Sequence, residues 1–318
     1  MTFSNKENLN NINSETNTLK KSKEFKKIKK YKFNKPNNKT VSMASSNRNE
    51  SNIIDKFYLF CYEFFSKKVN TSNLKEKSSG HYNHAIEVKN LYMRYGSKKK
   101  DPFIKDCNFN VDEGDFHVII GQNGAGKSTL IKMIIGLNLN YQGDILINGI
   151  NRKKCDPNQK LTFVPDKPIF PNEWNVFDYL LEICRMYDSS NIEILKKKIN
   201  GYLEDFDLLN DADKDPNNLS SGQKQKLLII KILLLKSKII VLDEPTSNLD
   251  AITRKQFLSL LKELSQKNKV TVFISTHVLE EIKYYANSAT FIDKGKVLWS
   301  GKVSNEEIVN KHNEIFRV

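Results

Sequence analysis

The sequence has few cysteines and no apolar run long enough to cross a membrane. Its four cysteines are scattered among 318 residues, with no C-x-x-C pair and no histidine at metal-ligand spacing. This pattern argues against a disulfide framework and favours reduced thiols in a cytosolic protein. A membrane-spanning helix needs about 20 apolar residues, whereas the longest apolar run, 227–235, is interrupted by Lys231. The N-terminus also lacks the apolar core of a secretion signal. We therefore expect any membrane-spanning segment to come from another polypeptide.

Positive charge is concentrated in the first quarter of the chain. Residues 1–85 hold 17 Lys or Arg against 7 Asp or Glu, whereas the remaining 233 residues hold 34 against 30. The first 52 residues are dominated by Asn, Lys and Ser, which cannot bury enough apolar surface to offset the entropy of ordering. We therefore predict a basic, largely disordered extension over 1–85, followed by a folded domain over 86–318.

Two stretches of the extension could bind a partner. The segment Lys20–Lys35 contains nine lysines and one acid. It is either a solubilising tail or a segment attracted to an anionic membrane surface or to nucleic acid, and nucleic acid is the less expected partner. A short amphipathic helix is predicted near 53–66, because Ile53, Phe57 and Phe64 fall on one helical face. We expect this helix to dock on the folded domain or on a partner rather than to insert into a membrane.

The rest of the chain has the pattern of an α/β domain. Apolar residues recur at helical spacing from about 171 to 225, and this predicts a helical block inserted between two parts of one sheet. Short apolar or alternating runs predict strands on both sides of this block. These runs lie at 86–95, 104–111, 116–120, 143–149, 161–165, 239–242 and 270–276.

The stretch 121–129 fits G-x-x-x-x-G-K-[ST], the phosphate-binding loop. It follows a predicted strand and precedes a predicted helix, which is the context that the motif requires. Glycines let backbone N–H groups turn towards an anion, and the helix N-terminus adds its positive end. Lys127 would neutralise the β- and γ-phosphates, and the Ser128 hydroxyl would bind Mg²⁺. The predicted nucleoside triphosphate site comprises Gly121, Gln122, Asn123, Gly124, Ala125, Gly126, Lys127, Ser128 and Thr129.

Further motifs follow the loop in a fixed order. They are Phe163–Pro168, Leu219–Gln223, Ile239–Glu244, Ser247–Asp250 and Val270–His277. Together with the phosphate loop, this set resembles the nucleotide-binding domain of ATP-binding cassette (ABC) proteins, from about residue 86 to about residue 301. The resemblance implies a P-loop NTPase core with an antiparallel β subdomain and an inserted α-helical subdomain. It also implies ATP and Mg²⁺ as ligands and ATP hydrolysis as the activity.

The resemblance implies a role for each of the residues in these motifs. Tyr95 would stack on adenine, and Asp243, at the end of a buried apolar strand, would hold Mg²⁺. Glu244 would deprotonate the attacking water, and His277 would hydrogen-bond the γ-phosphate. With Lys127, these last two residues form the implied catalytic set.

Two positions depart from the residues that the family usually carries. Asp166 stands where most members have glutamine; its carboxylate can still bind Mg²⁺ but adds negative charge near the γ-phosphate. Ser221 replaces a glycine of the signature, the segment that clamps the ATP of the opposite subunit. Ser220 could also simply cap the following helix, and the two roles can coexist. The segment Ser247–Asp250 resembles the family's D-loop. The residues implied to contact nucleotide in the signature and the D-loop are Ser220, Ser221, Gly222, Gln223 and Asp250.

The resemblance also implies partners. Because each ATP site of the family takes its signature from another subunit, we expect a head-to-tail dimer with a second, identical or similar cassette. We also expect a separate transmembrane permease and a position at the cytoplasmic face of the membrane. The runs 277–282 and 291–297 look most like those of drug and lantibiotic exporters. The alternatives are a non-transport ABC ATPase that acts on nucleic acid or ribosomes, which the basic extension keeps open, and an assembly ATPase.

Overall fold

The computed structural model describes residues 84–96, 102–154, 161–187, 191–247 and 249–316. The lysine-rich segment and the predicted helix near 53–66 lie outside these residues, as does the rest of the predicted extension before His84. The first strand begins at His84, two residues before the predicted start of the folded domain.

The described residues form ten strands and seven α-helices. The strands are β1 (His84–Met93), β2 (Ile104–Asp112), β3 (Phe116–Ile120), β4 (Gln142–Ile147), β5 (Ile150–Asn151), β6 (Leu161–Val164), β7 (Ile239–Asp243), β8 (Thr271–Thr276), β9 (Ser288–Asp293) and β10 (Lys296–Lys302). The helices are α1 (Lys127–Ile134), α2 (Val176–Tyr187), α3 (Ile192–Asp205), α4 (Ser221–Leu235), α5 (Ala251–Asn268), α6 (Leu279–Ile282) and α7 (Asn305–Phe316). None of these helices is long and apolar enough to span a bilayer.

The strands form two sheets. A four-stranded sheet has the order β2-β1-β4-β5, and its strands are antiparallel. Alternate residues of β1, such as Ile86 and Val88, are buried opposite Ile147 and Ile145 of β4. This period-2 burial explains the alternating sequence of the strand. The antiparallel subdomain that the resemblance implied is therefore confirmed.

The second sheet has six strands in the order β10-β9-β3-β8-β7-β6. All neighbours in it are parallel except β9 and β10. Strands β3, β7 and β8 are buried along their whole length, as expected for parallel strands covered on both faces. Ile120 lies beside Thr276, and Asp243 lies beside Ser275. The carboxyl ends of these three strands therefore meet at one edge of the sheet.

Each face of the six-stranded sheet packs on a different layer. Val118 and Ile120 of β3 belong to the core that includes the helical block, whereas Ile119 between them faces α1 and the antiparallel sheet. Helices α2, α3 and α4 lie in the chain between β6 and β7, which are parallel neighbours. The helical block is thus an insertion between two strands of one sheet, as predicted. Its predicted end near residue 225 falls within α4, which continues to Leu235.

A buried histidine lies in the middle of the core, on β3. The ring of His117 stacks on Phe273 at a centroid distance of 5.4 Å, and its two nitrogens lie 2.9 Å from the hydroxyls of Ser288 and Thr290. Burial, and after it the positive charge of Lys302, lowers the pKa of His117 from 6.5 to about 3. The folded protein therefore holds this imidazole neutral.

This burial makes the stability of the fold depend on pH. The unfolded chain binds a proton at His117 below pH 6.5 while the folded chain does not until about pH 3, so the unfolding free energy should fall as pH drops through this window. For a single site, the unfolding free energy changes by about 1 kcal/mol per pH unit. We expect denaturant unfolding at pH 7, 6 and 5 to show a change with pH that is smaller by this amount in His117→Gln than in the parent protein. The His312→Gln variant, with its substitution on α7, is the control, and equal slopes in all three proteins would contradict the prediction.

Candidate functional site

The phosphate loop connects β3 to α1 at the edge of the sheet where the parallel strands end. Its backbone passes so close to β9 that a Cβ atom on Gly121 would lie 2.3 Å from the carbonyl oxygen of Ile292. Gly126, the N-cap of α1, has a φ of 111°, which favours glycine. Residues 122–124 are exposed. The loop thus presents backbone and a helix N-terminus to solvent, as an anion site requires.

Lys127 is buried beneath this loop. Its Nζ donates hydrogen bonds to the carbonyl oxygens of Gly121 at 2.8 Å and Gln122 at 3.3 Å, and it lies 3.1 Å from Oε1 of Glu244. Only 4% of the side chain is exposed. The ammonium group is therefore held between the loop and the carboxylate that follows β7.

Asp243 ends β7 and receives two hydroxyl hydrogen bonds. Ser128 donates to its Oδ1 at 3.1 Å, and Ser275 donates to the same oxygen at 2.7 Å. Burial raises the pKa of Asp243; the two hydroxyls oppose this, and the negative charges of Glu244 and Asp166 add to it. A buried carboxylate with neutral donors is stabilised by a cation. The neighbouring Ser128 hydroxyl is also a hard oxygen ligand, so this pair fits Mg²⁺, which needs only one or two carboxylates beside phosphate oxygens.

Glu244 contacts two other predicted catalytic residues at once. One carboxylate oxygen faces Lys127, and the other lies 3.0 Å from Nδ1 of His277. Its backbone has a φ of 43°, an uncommon conformation for a residue with a side chain, and its N–H donates to the Ser275 hydroxyl at 2.9 Å. These contacts fix the orientation of a carboxylate that is 20% exposed. Such a group can accept a proton from a bound water.

Tyr95 lies at the outer side of the site. Its hydroxyl is 2.9 Å from the Thr129 hydroxyl at the start of α1, and its ring packs edge-on against Phe103 at 5.3 Å. The residue is 52% exposed. A half-exposed aromatic ring therefore lies beside the phosphate loop, and its stacking on adenine remains a prediction.

Asp166 follows β6, and its negative charge helps to raise the pKa of Asp243. Its Oδ1 accepts a hydrogen bond from the Ser247 hydroxyl at 2.9 Å, and Ser247 also donates to the Glu244 carbonyl at 3.1 Å. Asp166 is half-buried. The structure thus connects the predicted metal ligand to the segment after Glu244.

The signature residues form the start of α4. Ser220 and Gln223 form a reciprocal capping box, in which each side chain accepts from the backbone N–H of the other. The Gln223 amide also donates to Asp211 at 2.7 Å. Ser221 and Gly222 are exposed. In the described part of the chain, the hydrogen bonds of this segment stay within the helical block and do not reach the phosphate loop.

Asp250 has a structural task in this molecule. It is the N-cap of α5 and accepts from the backbone N–H groups of Ile252 and Thr253, both at 3.0 Å. Hydrogen bonds from the side chain and backbone of Thr253 lower its pKa. Its predicted contact with nucleotide remains a prediction.

Ser275 is the member of the site that was not predicted. Its hydroxyl donates to Asp243 and accepts from the Glu244 N–H, so it holds both acids. The parallel register of β7 and β8 places it directly beside Asp243. A parallel pairing of the two predicted strands, with Asp243 and His277 near their ends, could have pointed to Ser275 as a neighbour of Asp243.

The chain is similar to known proteins over more than two thirds of its length. A family profile described as ABC transporter matches residues 104–247. A Mycoplasma pneumoniae protein, provisionally described as an ABC transporter ATP-binding protein, is 38% identical over 69% of this chain and 67% of its own length. The methionine import ATP-binding protein MetN of Clostridioides difficile is 32% identical over 73% of this chain and 72% of its own length.

A solved structure gives the same result. The ATP binding subunit of an ABC transporter superposes with a TM-score of 0.62 at 30% identity, over 73% of this chain and 93% of that chain. The predicted family and fold class are therefore confirmed. The chain belongs to the ABC transporter family and is one of its ATP-binding, ATP-hydrolysing cassette subunits.

Proposed function

We propose that this subunit hydrolyses ATP with Mg²⁺ at the edge of the sheet where β3, β7 and β8 end, and that a separate permease uses the cycle. The observation that carries the proposal is the position of Glu244. Its two carboxylate oxygens lie 3.1 Å from the Lys127 ammonium and 3.0 Å from the His277 ring. The proposed base, a cation and the residue proposed to bind the γ-phosphate therefore share one site.

The chemistry follows from these groups. Backbone N–H groups of the loop and Lys127 would bind the β- and γ-phosphates. Ser128 and Asp243, with Asp166 nearby, would hold Mg²⁺, which when bound neutralises phosphate charge. Glu244 would take the proton of the attacking water, while His277 would orient Glu244 and bind the γ-phosphate. Tyr95 would stack on the adenine.

We further propose that each site is completed by the signature of a second cassette, arranged head-to-tail. The support is that, among the described residues, Ser220 and Gln223 form their hydrogen bonds within the helical block, while Ser221 and Gly222 are exposed. Exposed N–H groups at the start of α4 can bind an anion on another subunit. Two ATP molecules would then lie between two cassettes, and hydrolysis would allow the pair to open.

The transport partner is proposed from the family. A permease in a separate chain would place the subunit at the cytoplasmic face of a membrane. Export stays a prediction from the runs 277–282 and 291–297, because the C. difficile relative carries a name for methionine import. Attraction of the lysine-rich extension to an anionic membrane remains a prediction about residues outside the described ranges.

The phosphate loop can be tested by substitution. Lys127→Ala removes charge-assisted bonds to phosphate, and we expect the affinity for a fluorescent ATP analogue to fall roughly 10- to 100-fold. Lys132→Ala, on the same helix but outside the site, is the matched control and should bind as the parent does. Unchanged affinity of the Lys127 variant would contradict the assignment.

Dimer formation is tested by blocking hydrolysis. Glu244→Gln keeps the shape of the side chain but cannot accept the proton, so ATP should persist and the subunit should elute as a dimer in size-exclusion chromatography with ATP and Mg²⁺. Without nucleotide, or with Lys127→Ala added, it should elute as a monomer. A monomer at saturating ATP would argue against the two-cassette site.

The permease is tested by co-purification. The tagged full-length chain, extracted from its source membranes in mild detergent, should bring down a protein with several membrane-spanning helices. The Glu244→Gln variant, purified in the same way in the presence of ATP, should bring down the same protein. Recovery of RNA or DNA without such a protein would instead favour the non-transport class.

A further inference from the structure

Glu281 lies on α6, four residues after His277, and its carboxylate contacts two different segments. Its Oε2 accepts a hydrogen bond from the Thr246 hydroxyl at 3.0 Å. Its Oε1 forms an ion pair with Nη1 of Arg254, on α5, at 2.5 Å. The carboxylate thus joins the segment that follows β8 to the segment that follows β7.

Arg254 extends this connection to the far end of the loop between β7 and α5. Its Nη2 donates to the carbonyl oxygen of Leu249 at 2.8 Å. Thr246, near the start of the loop, and Leu249, at its end, are therefore both held by the pair of Arg254 and Glu281. Glu244 is the first residue of this loop, directly after β7.

These contacts are largely withdrawn from solvent. Thr246 is 5% exposed, and the side chains of Glu281 and Arg254 are 17% and 28% exposed. The Nε atom of Arg254 is buried and has no hydrogen-bond partner among the residues that the structure describes. Removing either charged partner would leave the other partly buried and unpaired, which is costly. The pair therefore constrains the loop more strongly than an exposed ion pair would.

The segment 277–281 thus contacts the loop between β7 and α5 at two points. His277 contacts the Glu244 carboxylate at 3.0 Å, and Glu281 contacts Thr246 two residues further along. We propose that Glu281 is a positioning residue for ATP hydrolysis, which keeps Glu244 and His277 in register through Thr246 and Arg254. The inference rests on the proposed role of Glu244 as the base.

The test separates turnover from nucleotide binding. Glu281→Gln keeps an oxygen for Thr246 but loses the charge that Arg254 needs, so Glu244 should be less well placed. We expect kcat for ATP in the full-length chain to fall about tenfold, within the roughly hundredfold loss that a misplacement of about 1 Å can cause. KM for ATP should stay within about twofold, because the phosphate loop is unchanged.

A neighbouring residue provides the matched control. Glu280, also on α6, is largely exposed and pairs only with Lys283 in the described structure. Glu280→Gln should keep the kcat and KM of the parent. Thermal unfolding and binding of the fluorescent ATP analogue should also be measured for every variant. A Glu281→Gln protein with the turnover of Glu280→Gln, or with a raised KM and unchanged kcat, would overturn the inference.

Two more variants guard against a simple folding defect. Thr246→Val removes the hydroxyl with little change of shape and should lower kcat in the same direction. The double variant Arg254→Gln with Glu281→Gln should lose no more kcat than the worse single variant, because both act through one pair; multiplied losses would overturn the inference.

If Glu244→Gln itself kept full turnover, the proposed base would be wrong. Loss of turnover in Glu244→Gln with normal turnover in Glu281→Gln would overturn the positioning role alone.

Discussion

The parallel register of three buried strands determines the chemistry of this molecule. Because β7 pairs with β8, Asp243 lies beside Ser275, and because β8 pairs with β3, the phosphate loop begins next to the segment that ends in His277. A shift of one residue would turn Asp243 towards the opposite face of the sheet. Core packing on both faces prevents this shift, since β3, β7 and β8 are buried along their whole length. The site therefore depends on contacts that lie well behind it.

Features that repeat at a fixed period, or that lie in one short stretch, were predictable. The alternation in β1, the continuous apolar runs of β3 and β7 and the Gly-rich loop each predicted local structure, and their order along the chain indicated the family before any contact was known. The structure and the relatives confirm that family and the α/β fold with its two subdomains. The structure brings Lys127, Ser128, Asp243, Glu244 and His277 together, although their roles in catalysis remain proposals.

Contacts between side chains far apart in the chain could not be predicted. Ser275 lies in a strand that the sequence predicted, and Glu281 lies in the run 277–282, but no period or motif shows that one bonds Asp243 and the other Thr246. The roles of capping residues were equally hard to separate. Ser220 caps a helix and stands in the signature, and Asp250 caps a helix and stands in the D-loop. Residues of this kind cap helices by accepting hydrogen bonds from backbone N–H groups, so the sequence alone does not show whether they also bind nucleotide.

The backbone at Glu244 has a consequence for how such a chain can change. A side chain held at a φ of 43° costs about 1 kcal/mol relative to an ordinary conformation. Glycine would adopt the same backbone without that cost but would bring no carboxylate. Glycine would also leave the buried Lys127 ammonium without the carboxylate that it pairs with, and this loss costs more than the strained backbone does. The residue proposed as the base is therefore also one that the fold needs, and a substitution at Glu244 affects stability and turnover together.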